Sequence, residues 1–517
     1  MIELPENLQL FLTNKVVLSG FGLAVAIVYL LLNRRLDKGR LPPGPRGLPI
    51  VGAVVEVPKE KEWITYYEWK KQYGPIVGLH VFGQRIVLLN TPKVVQEVLN
   101  SRNGIYSYRP PFPMLELMGF ESWNVGVMQT GTHIHNLTRR LITQFLSKGG
   151  LLKCAEIQES EVKRFLKSLL HSPDEFFHHT RRFSAGVIMR CFYGIDANTK
   201  DGRELVLLNE EVNDKTSSAG SPAAYLVNTF PILKYWPRYF PGGKFHKDAE
   251  EGHFVADRLV NFPLELIKTG MEKPESPVSA SFLQTNFDSS KESDVRSAAL
   301  AMAATSYGAG TETTASVILS FFLAMVHFPE AQKAIQKELD KAFQGRLPTY
   351  ADKLANHPPC VDAFVKECQR WGVTGTFGLP HFANKDDVID GYVIPKGTIV
   401  MSNIWGILHD EKLYPDPSEF RHERFLGPQP QPDPKDHVYG YGRRICPGRN
   451  LAEGSLWLTV ASVLLCFDIL PVLSDSGKPQ LPALEYTSGV MRRPKEFRCR
   501  IIPRSPLIKE LIEHITL

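Results

Sequence analysis

The stretch from Ser293 to Val326 sets the dimensions of the fold. It is apolar over most of its circumference, Ser293 can cap its start, and Pro329 stops it soon after Val326. About 33 residues at ~1.5 Å each make a helix of about 50 Å, the width of a whole domain. A helix that is apolar nearly all round belongs inside a fold, so the rest of the chain is expected to wrap around it. Near its middle lies Gly308-Ala309-Gly310-Thr311-Glu312-Thr313-Thr314. Each glycine costs a helix on the order of 1 kcal/mol relative to alanine, and threonine is a poor helix former. A carboxylate inside an apolar helix also needs a partner. A local kink facing a cavity accounts for both features. A tolerated irregularity in a core helix is the plainer alternative.

A second stretch is too irregular for helix or strand: His437-Val438-Tyr439-Gly440-Tyr441-Gly442-Arg443-Arg444-Ile445-Cys446-Pro447-Gly448. An apolar helix from Arg449 to Leu465 is expected directly after it. Free N–H groups and the dipole at a helix N-terminus favour a thiolate, the form that binds metal. Taken alone, however, Cys446 reads most simply as a buried structural cysteine.

Composition narrows the class. The 517 residues are 43% hydrophobic and 22% charged, which is ordinary for a globular protein. A net charge of +5, with no basic stripe interleaved with aromatics, argues against a nucleic-acid-binding surface. Seven scattered cysteines with no C-x-x-C pair do not make a disulfide framework and suit reduced thiols on the cytosolic side. Val16 to Leu32 is an apolar run at the short end of a membrane span. Acidic residues precede it, while Arg34, Arg35, Lys38 and Arg40 follow, so the C-terminal side is expected in the cytosol. A cleaved signal peptide would carry its charge on the other side, and an uncleaved anchor is the better reading. The proline-rich Leu41 to Pro49 reads as a stiff extended spacer, or else as an ordinary linker. The expected layout is a lumenal N-terminus (1–15), a transmembrane signal anchor (16–32), a basic and proline-rich hinge (33–49), and one large domain (50–517).

Within that domain the pattern is mostly helical. Helices are expected over Trp63–Gln72, Pro92–Asn100, Ala155–His171, Phe177–Cys191, Pro329–Phe343 and Pro359–Trp371. Strands are expected over Pro75–Val81 and Arg85–Asn90, in a hairpin-like stretch from Gly391 to Val400, and over Phe467–Leu473 and Phe497–Ile502. Ile105 to Gly126 lacks periodicity, and a loop of that length is usually functional. Thr229 to Pro241 carries Trp, Tyr and Phe between basic residues, which suits a membrane interface as well as it suits a buried loop. Glu367 and Arg370 share a helix face at i and i+3. Asn136-Leu137-Thr138 is a glycosylation sequon.

Taken together, these parts resemble the cytochrome P-450 family of haem-thiolate monooxygenases, fungal microsomal type. The resemblance runs from the proline hinge to the C-terminal strands. It rests on Tyr439-Gly440-Tyr441-Gly442-Arg443-Arg444-Ile445-Cys446-Pro447-Gly448 against F-x-x-G-x-R-x-C-x-G, on Ala309 to Thr314 against A-G-x-[DE]-T-T, and on Glu367 and Arg370 against E-x-x-R. It implies a mostly α fold with small β-sheets. It also implies haem b with Cys446 as the axial thiolate. Arg444 is implied as a propionate partner, and Gly442 and Gly448 as positions that let the loop approach the porphyrin. Thr313 and Glu312 are implied as the catalytic pair that handles oxygen and protons, and Arg424 as a third member of the Glu367–Arg370 network. His381 falls where the family binds a propionate.

Four departures stand out. Tyr439 replaces the usual Phe, and its hydroxyl needs a partner. His422 replaces a proline. The tryptophan of the family's W-x-x-x-R propionate site is missing: Ile134 or His135 takes its place, with Arg139 or Arg140 as the cation. The loop Trp371 to Phe377 lacks the usual prolines, so a pocket of unusual width and flexibility is expected.

The resemblance further implies a membrane-bound NADPH–haemoprotein reductase, with cytochrome b5 as a second candidate donor. The docking face would be basic, around Arg443, Arg444 and Arg449. Segments that line the pocket in the family offer Phe112, Met114, Leu115, Leu117, Met118, Phe120, Val373, Phe377 and Val490 here, so an apolar substrate is expected, with a terpenoid as best guess. An endoplasmic reticulum membrane location with a cytosolic catalytic domain follows. Two rivals are a haem-thiolate isomerase or dehydratase working without reductase, and a non-catalytic haem protein.

Overall fold

A computed structural model of the chain describes residues 40–516, apart from 50, 59, 221–224, 272–280, 284–285, 287–292 and 490. The expected anchor Val16–Leu32 therefore lies outside the described residues, as does the pocket candidate Val490.

The helices that organise the fold are α1 (Glu62–Tyr73), α2 (His133–Phe145), α3 (Lys148–His171), α4 (Phe176–Tyr193), α5 (Lys200–Gly220) and α6 (Phe245–Met271). They are followed by α7 (Ser293–His327), α8 (Pro329–Phe343), α9 (Pro359–Trp371) and α10 (Arg449–Cys466). The long helix α7 sits at the centre, packed against α2, α4, α9 and α10. By length and composition it would qualify as a membrane span, yet 78% of its most apolar window is buried inside the fold.

Strands β1 (Ile76–Val81), β2 (Gln84–Leu89), β3 (His381–Phe382) and β6 (Ile399–Ser402) form a sheet of order β1-β2-β6-β3. Only the β2–β6 pairing in it is parallel. Between β3 and β6, β4 (Asp387–Ile389) and β5 (Tyr392–Ile394) make a separate hairpin. Strand β7 (Phe467–Leu470) pairs with Arg500–Pro503.

Three expectations change. The proline-rich segment packs against β1 instead of standing free as a spacer. The Gly78 N–H donates to the Pro43 carbonyl at 2.8 Å, and a Cβ on Gly44 would lie 1.8 Å from the Gly78 oxygen. The helix from Pro92 holds α geometry only to Val95, then widens to a π turn over Gln96–Ser101. The stretch Ile105 to Gly126 is not one loop. It holds the end of the helix Asn103–Tyr106, a short helix Pro113–Leu117 and a 3-10 turn Phe120–Ser122. Proline at the first position of a helix loses no bond, which is why Pro113 can start one.

The most deeply buried charges sit on α9. Arg370 holds Glu367 through two bonds, Nε to Oε2 at 2.7 Å and Nη2 to Oε1 at 2.9 Å, and both side chains are fully buried. Glu367 Oε1 also accepts from Arg424 Nε at 3.2 Å and from the Arg421 N–H at 2.8 Å. Arg370 spends its remaining donors on the carbonyls of Leu408 and Glu419. His422, in place of a proline, is buried with its ring 5.3 Å from that of Phe364. Removing one member of such a pair strands the other without water. Glu367→Ala is therefore expected to destabilise the fold by about 3–5 kcal/mol, read from urea unfolding followed by tryptophan fluorescence.

Candidate functional site

The cysteine loop is built by short-range bonds and glycine geometry. A short helix Lys435–Val438 and a 3-10 turn Gly442–Arg444 lead into it, and α10 begins at Arg449. The Cys446 N–H donates to the Tyr439 carbonyl at 2.7 Å and closes the loop. The Tyr439 hydroxyl accepts from Gln369 Nε2 at 2.6 Å. That bond supplies the partner the Phe-to-Tyr departure requires, and it ties the loop to α9 one residue before Arg370.

Gly442 has φ +52°, and its N–H donates to Asn100 Oδ1 at 2.7 Å. A Cβ there would lie 2.5 Å from the Leu99 carbonyl oxygen. Gly442 thus lets the loop seat on the π turn. At Gly448 an added Cβ would meet only Cys446 Sγ, at 3.9 Å.

Burial pushes the Cys446 thiol pKa up. The N–H groups of Gly448 and Arg449 and the guanidinium groups of Arg139 and Arg449 oppose the rise without cancelling it.

The half-buried Arg444 turns its guanidinium onto backbone carbonyls. Its Nε donates to the Ser107 carbonyl at 2.8 Å, Nη1 to Val125 at 3.1 Å and Nη2 to Met128 at 2.5 Å. This corrects the expectation that it belongs to a basic docking face, where Arg443 is exposed and Arg449 half-buried. Arg139 Nη2 donates to the Ile445 carbonyl at 2.9 Å, so Arg139, not the exposed Arg140, turns toward the cysteine loop.

Sequence reasoning missed Arg109. It is 5% exposed, and it donates to the carbonyls of Gly126, Leu379 and Pro380 at 2.7, 2.8 and 2.7 Å. The available signal was that Arg109 is the only cation between Ile105 and Gly126. The buried His381, on β3, bonds the Tyr106 carbonyl through Nδ1 at 2.7 Å.

Among the described residues, Arg109, Arg139 and Arg444 have no carboxylate partner; they rest on backbone carbonyls alone. Burial and the repulsion of Arg139 push Arg444 down to about 10, and burial with the charges of Arg444 and Arg139 drives Arg109 well down. Burial, with Arg109 beside it, holds His381 at about 3. One buried and two half-buried cations without acids suit an anion that carries its own charge.

The same loop that receives Arg444 also meets α7. Thr305 Oγ1 accepts from the Val125 N–H at 3.1 Å and donates to the Trp123 carbonyl at 3.0 Å. One helical turn further, Ala309 is exposed and Gly308, Gly310 and Thr313 are half-buried, inside a helix otherwise packed on most sides. Of these, Ala309 is the exposed position: a Cβ on Gly310 would lie 2.9 Å from Cδ1 of Ile188, and one on Gly308 3.7 Å from Oδ1 of Asn209. The α-helix is unbroken through them. Instead of an interrupted ladder, the hydroxyls of Thr311, Thr313 and Ser316 bond the carbonyls of Tyr307, Ala309 and Glu312 at 2.8, 2.7 and 2.7 Å. Glu312 is buried, with Oε2 accepting from Arg493 Nη1 at 3.0 Å and Oε1 lying 3.8 Å from Arg181 Nε.

The segment Trp371 to Phe377 is anchored despite its missing prolines. Trp371 Nε1 donates to the Ser418 carbonyl at 2.9 Å, the Trp405 N–H to Thr376 at 3.1 Å, the Arg492 N–H to Thr374 at 2.7 Å, and Arg492 Nη1 to Val373 at 3.3 Å. Phe377 packs its ring 5.1 Å from that of Tyr66 on α1.

The sequence model described as Cytochrome P450 matches residues 42–500. The chain belongs to the cytochrome P450 family. Cytochrome P450 monooxygenase claR of Ampulloclitocybe clavipes is 35% identical over 96% of this P450 and 93% of its own length. Cytochrome P450 monooxygenase COX2 of Coprinopsis cinerea is 36% identical, with 97% and 96% covered. Tryptamine 4-monooxygenase of Psilocybe cyanescens is 34% identical, with 92% and 96% covered. The P450 is thus an oxidoreductase, a haem-thiolate monooxygenase served by a redox-partner reductase and acting on a small molecule. The residues present fit haem. Cys446 offers the sulfur, and the acid-free cluster of Arg109, Arg139 and Arg444 suits two propionate carboxylates.

Gly442→Ala is expected to destabilise the P450 by about 1–3 kcal/mol, through a left-handed φ and a backbone clash together. Gly448→Ala should stay near parental, with the urea midpoints of the two variants compared.

Proposed function

We propose that Cys446 is the axial ligand of haem b in this P450, that Arg444, Arg139 and His381 serve its propionates, and that Thr313 and Glu312 work at the turn of α7 that follows the exposed Ala309. The overall reaction is RH + O2 + two electrons + two protons to ROH + H2O. The bound haem supplies activation of dioxygen, with the thiolate tuning its electronics. The observation that carries this reading is the exposed Ala309, with the half-buried Thr313 one turn on, in the middle of a helix whose central residues are mostly buried. It is joined through the loop Trp123 to Met128 to the loop that holds Cys446.

Thr313 can redirect its hydroxyl from the Ala309 carbonyl toward a ligand at that turn. Glu312 is held by Arg493, so it delivers a proton after turning away from that cation. In the segments that line the family's pocket, Met114, Leu115, Met118, Phe120 and Val373 are apolar and buried. They support an apolar substrate, and a terpenoid of fungal secondary metabolism is our best reading.

We further propose the layout of anchor 16–32, hinge 33–49 and domain 50–517. The domain would lie on the cytosolic face of the endoplasmic reticulum membrane, reduced by a membrane-bound NADPH–haemoprotein reductase or by cytochrome b5 at Arg443 and Arg449. The aromatic stretch after Thr229 supports membrane contact over the buried-loop alternative. Ile232, Tyr235 and Tyr239 are 76%, 84% and 91% exposed. Phe230 packs its ring 5.6 Å from that of Phe82, and the Phe82 N–H donates to the Val51 carbonyl, so the patch adjoins the segment that follows the hinge.

Dithionite-reduced P450 with carbon monoxide should show the Soret band at the thiolate position. Thr313→Ala should keep that band while NADPH consumption uncouples from product by about 10-fold or more, in the range of a lost proton-transfer group. A normal fold and haem load without the band would sink the Cys446 assignment. Turnover without reductase or NADPH would favour the isomerase rival. For topology, Asn136 is exposed and should carry no glycan; a glycan found there by mass spectrometry places the domain in the lumen instead.

A further inference from the structure

Apart from the cysteine loop, one group of metal-ligating side chains among the described residues gathers its donor atoms. It consists of Glu175, His178 and His179, with one ligating atom of each within 4.8 Å of the other two. The group sits where the 3-10 turn Pro173–Glu175 runs into α4, and Glu175 is the residue that caps the helix. Positions i, i+3 and i+4 share a helix face, so the local backbone brings the three together. Glu175 and His178 are exposed, whereas His179 is only 6% exposed.

The bonding of His179 fixes which of its nitrogens is free. Nε2 lies 2.9 Å from the Ser172 carbonyl oxygen and 2.8 Å from the Ser172 hydroxyl. A carbonyl can only accept, so Nε2 carries the proton. Nδ1 is buried and has no hydrogen-bond partner. A second proton on Nδ1 would leave a charge buried without an acceptor, which is costlier than a bare lone pair. Nδ1 therefore holds a lone pair that the fold does not use. A ring N–H given to a backbone carbonyl, with the other nitrogen bare, is how proteins orient a histidine toward a metal ion.

We infer that Glu175, His178 and His179 form a zinc(II) site, with Nδ1 of His179 as the buried ligand and water in the fourth position. Two imidazoles and one carboxylate are a zinc set. Magnesium and calcium prefer oxygen ligands throughout and suit it less. Zinc bonds of about 2.0–2.1 Å draw ligand atoms to about 3.4 Å from one another. The exposed Glu175 and His178 side chains are free to make that closure. Arg182 also acts on His179, less strongly than the Glu175 carboxylate does. The ion ties the turn to the start of α4, the helix that packs against α7. The inference depends on neither the haem nor the substrate reading.

The test uses full-length holoprotein without an affinity tag, in detergent, dialysed against micromolar free zinc. Zinc and iron are then counted by elemental mass spectrometry, with haem iron as the measure of protein. The parental protein should carry one zinc per iron. Glu175→Gln and His178→Ala each remove one exposed ligand. Each should weaken zinc binding about tenfold or more, since the loss of an outer partner alone costs that much. His171→Ala removes an exposed histidine outside the group and should keep the parental ratio. The Soret band of the carbon monoxide complex checks that each variant is folded; if one ligand variant loses it, the other decides. A parental protein without zinc overturns the site, as does a folded ligand variant at the parental ratio. An equal loss in His171→Ala overturns it too, because the zinc is then spread over surface histidines.

Discussion

The ion cluster of Glu367, Arg370 and Arg424 is the point on which the site depends. Four N–H donors converge on one carboxylate that has no water to turn to. Helix α9 cannot shift without breaking that set, so its neighbours inherit a fixed position. One neighbour is Gln369, which holds the Tyr439 hydroxyl, and the Tyr439 carbonyl in turn holds the Cys446 N–H. The placement of the sulfur therefore descends from a buried salt bridge through two hydrogen bonds. A buried pair of this kind contributes little net stability compared with a well-packed apolar substitute. What it contributes here is a single defined geometry.

A second constraint works by omission. Arg109, Arg139 and Arg444 meet on carbonyl oxygens, and among the described residues no acid joins them. Glu312, by contrast, has two arginines near it. Positive charge is left without a counter-charge around the cysteine loop, while Glu312, the buried acid of the central helix, is neutralised. That asymmetry suits a dianionic ligand at one end of the site and a dry, apolar reaction space at the other.

Much of this could be read from the chain. The apolar length of Ser293 to Val326 predicts a central helix, and the helix spans the fold. Glu367 with Arg370, the cysteine loop and the turn around Thr313 were legible because each is a local spacing with one chemical use. Less legible were the contributions that cross between distant segments. Arg109 sits in a stretch without periodicity, and only its isolation among apolar neighbours hinted at burial. Arg444 looked like a surface cation because its three carbonyl acceptors lie more than 300 residues away along the chain. At Gly442 the atom that forbids a side chain is the Leu99 carbonyl on a π turn, a contact that joins segments far apart in the chain.

The sequence by itself determined the family, the ligand candidate Cys446 and the helix that carries Glu312 and Thr313. These rest on short-range spacings that hold whatever the rest of the chain does. Only the tertiary structure decided which cations turn inward, and why the proline-free loop after Trp371 is nonetheless fixed. Each of those outcomes depends on burial and on backbone carbonyls brought together by folding, and the sequence does not record where a carbonyl will point.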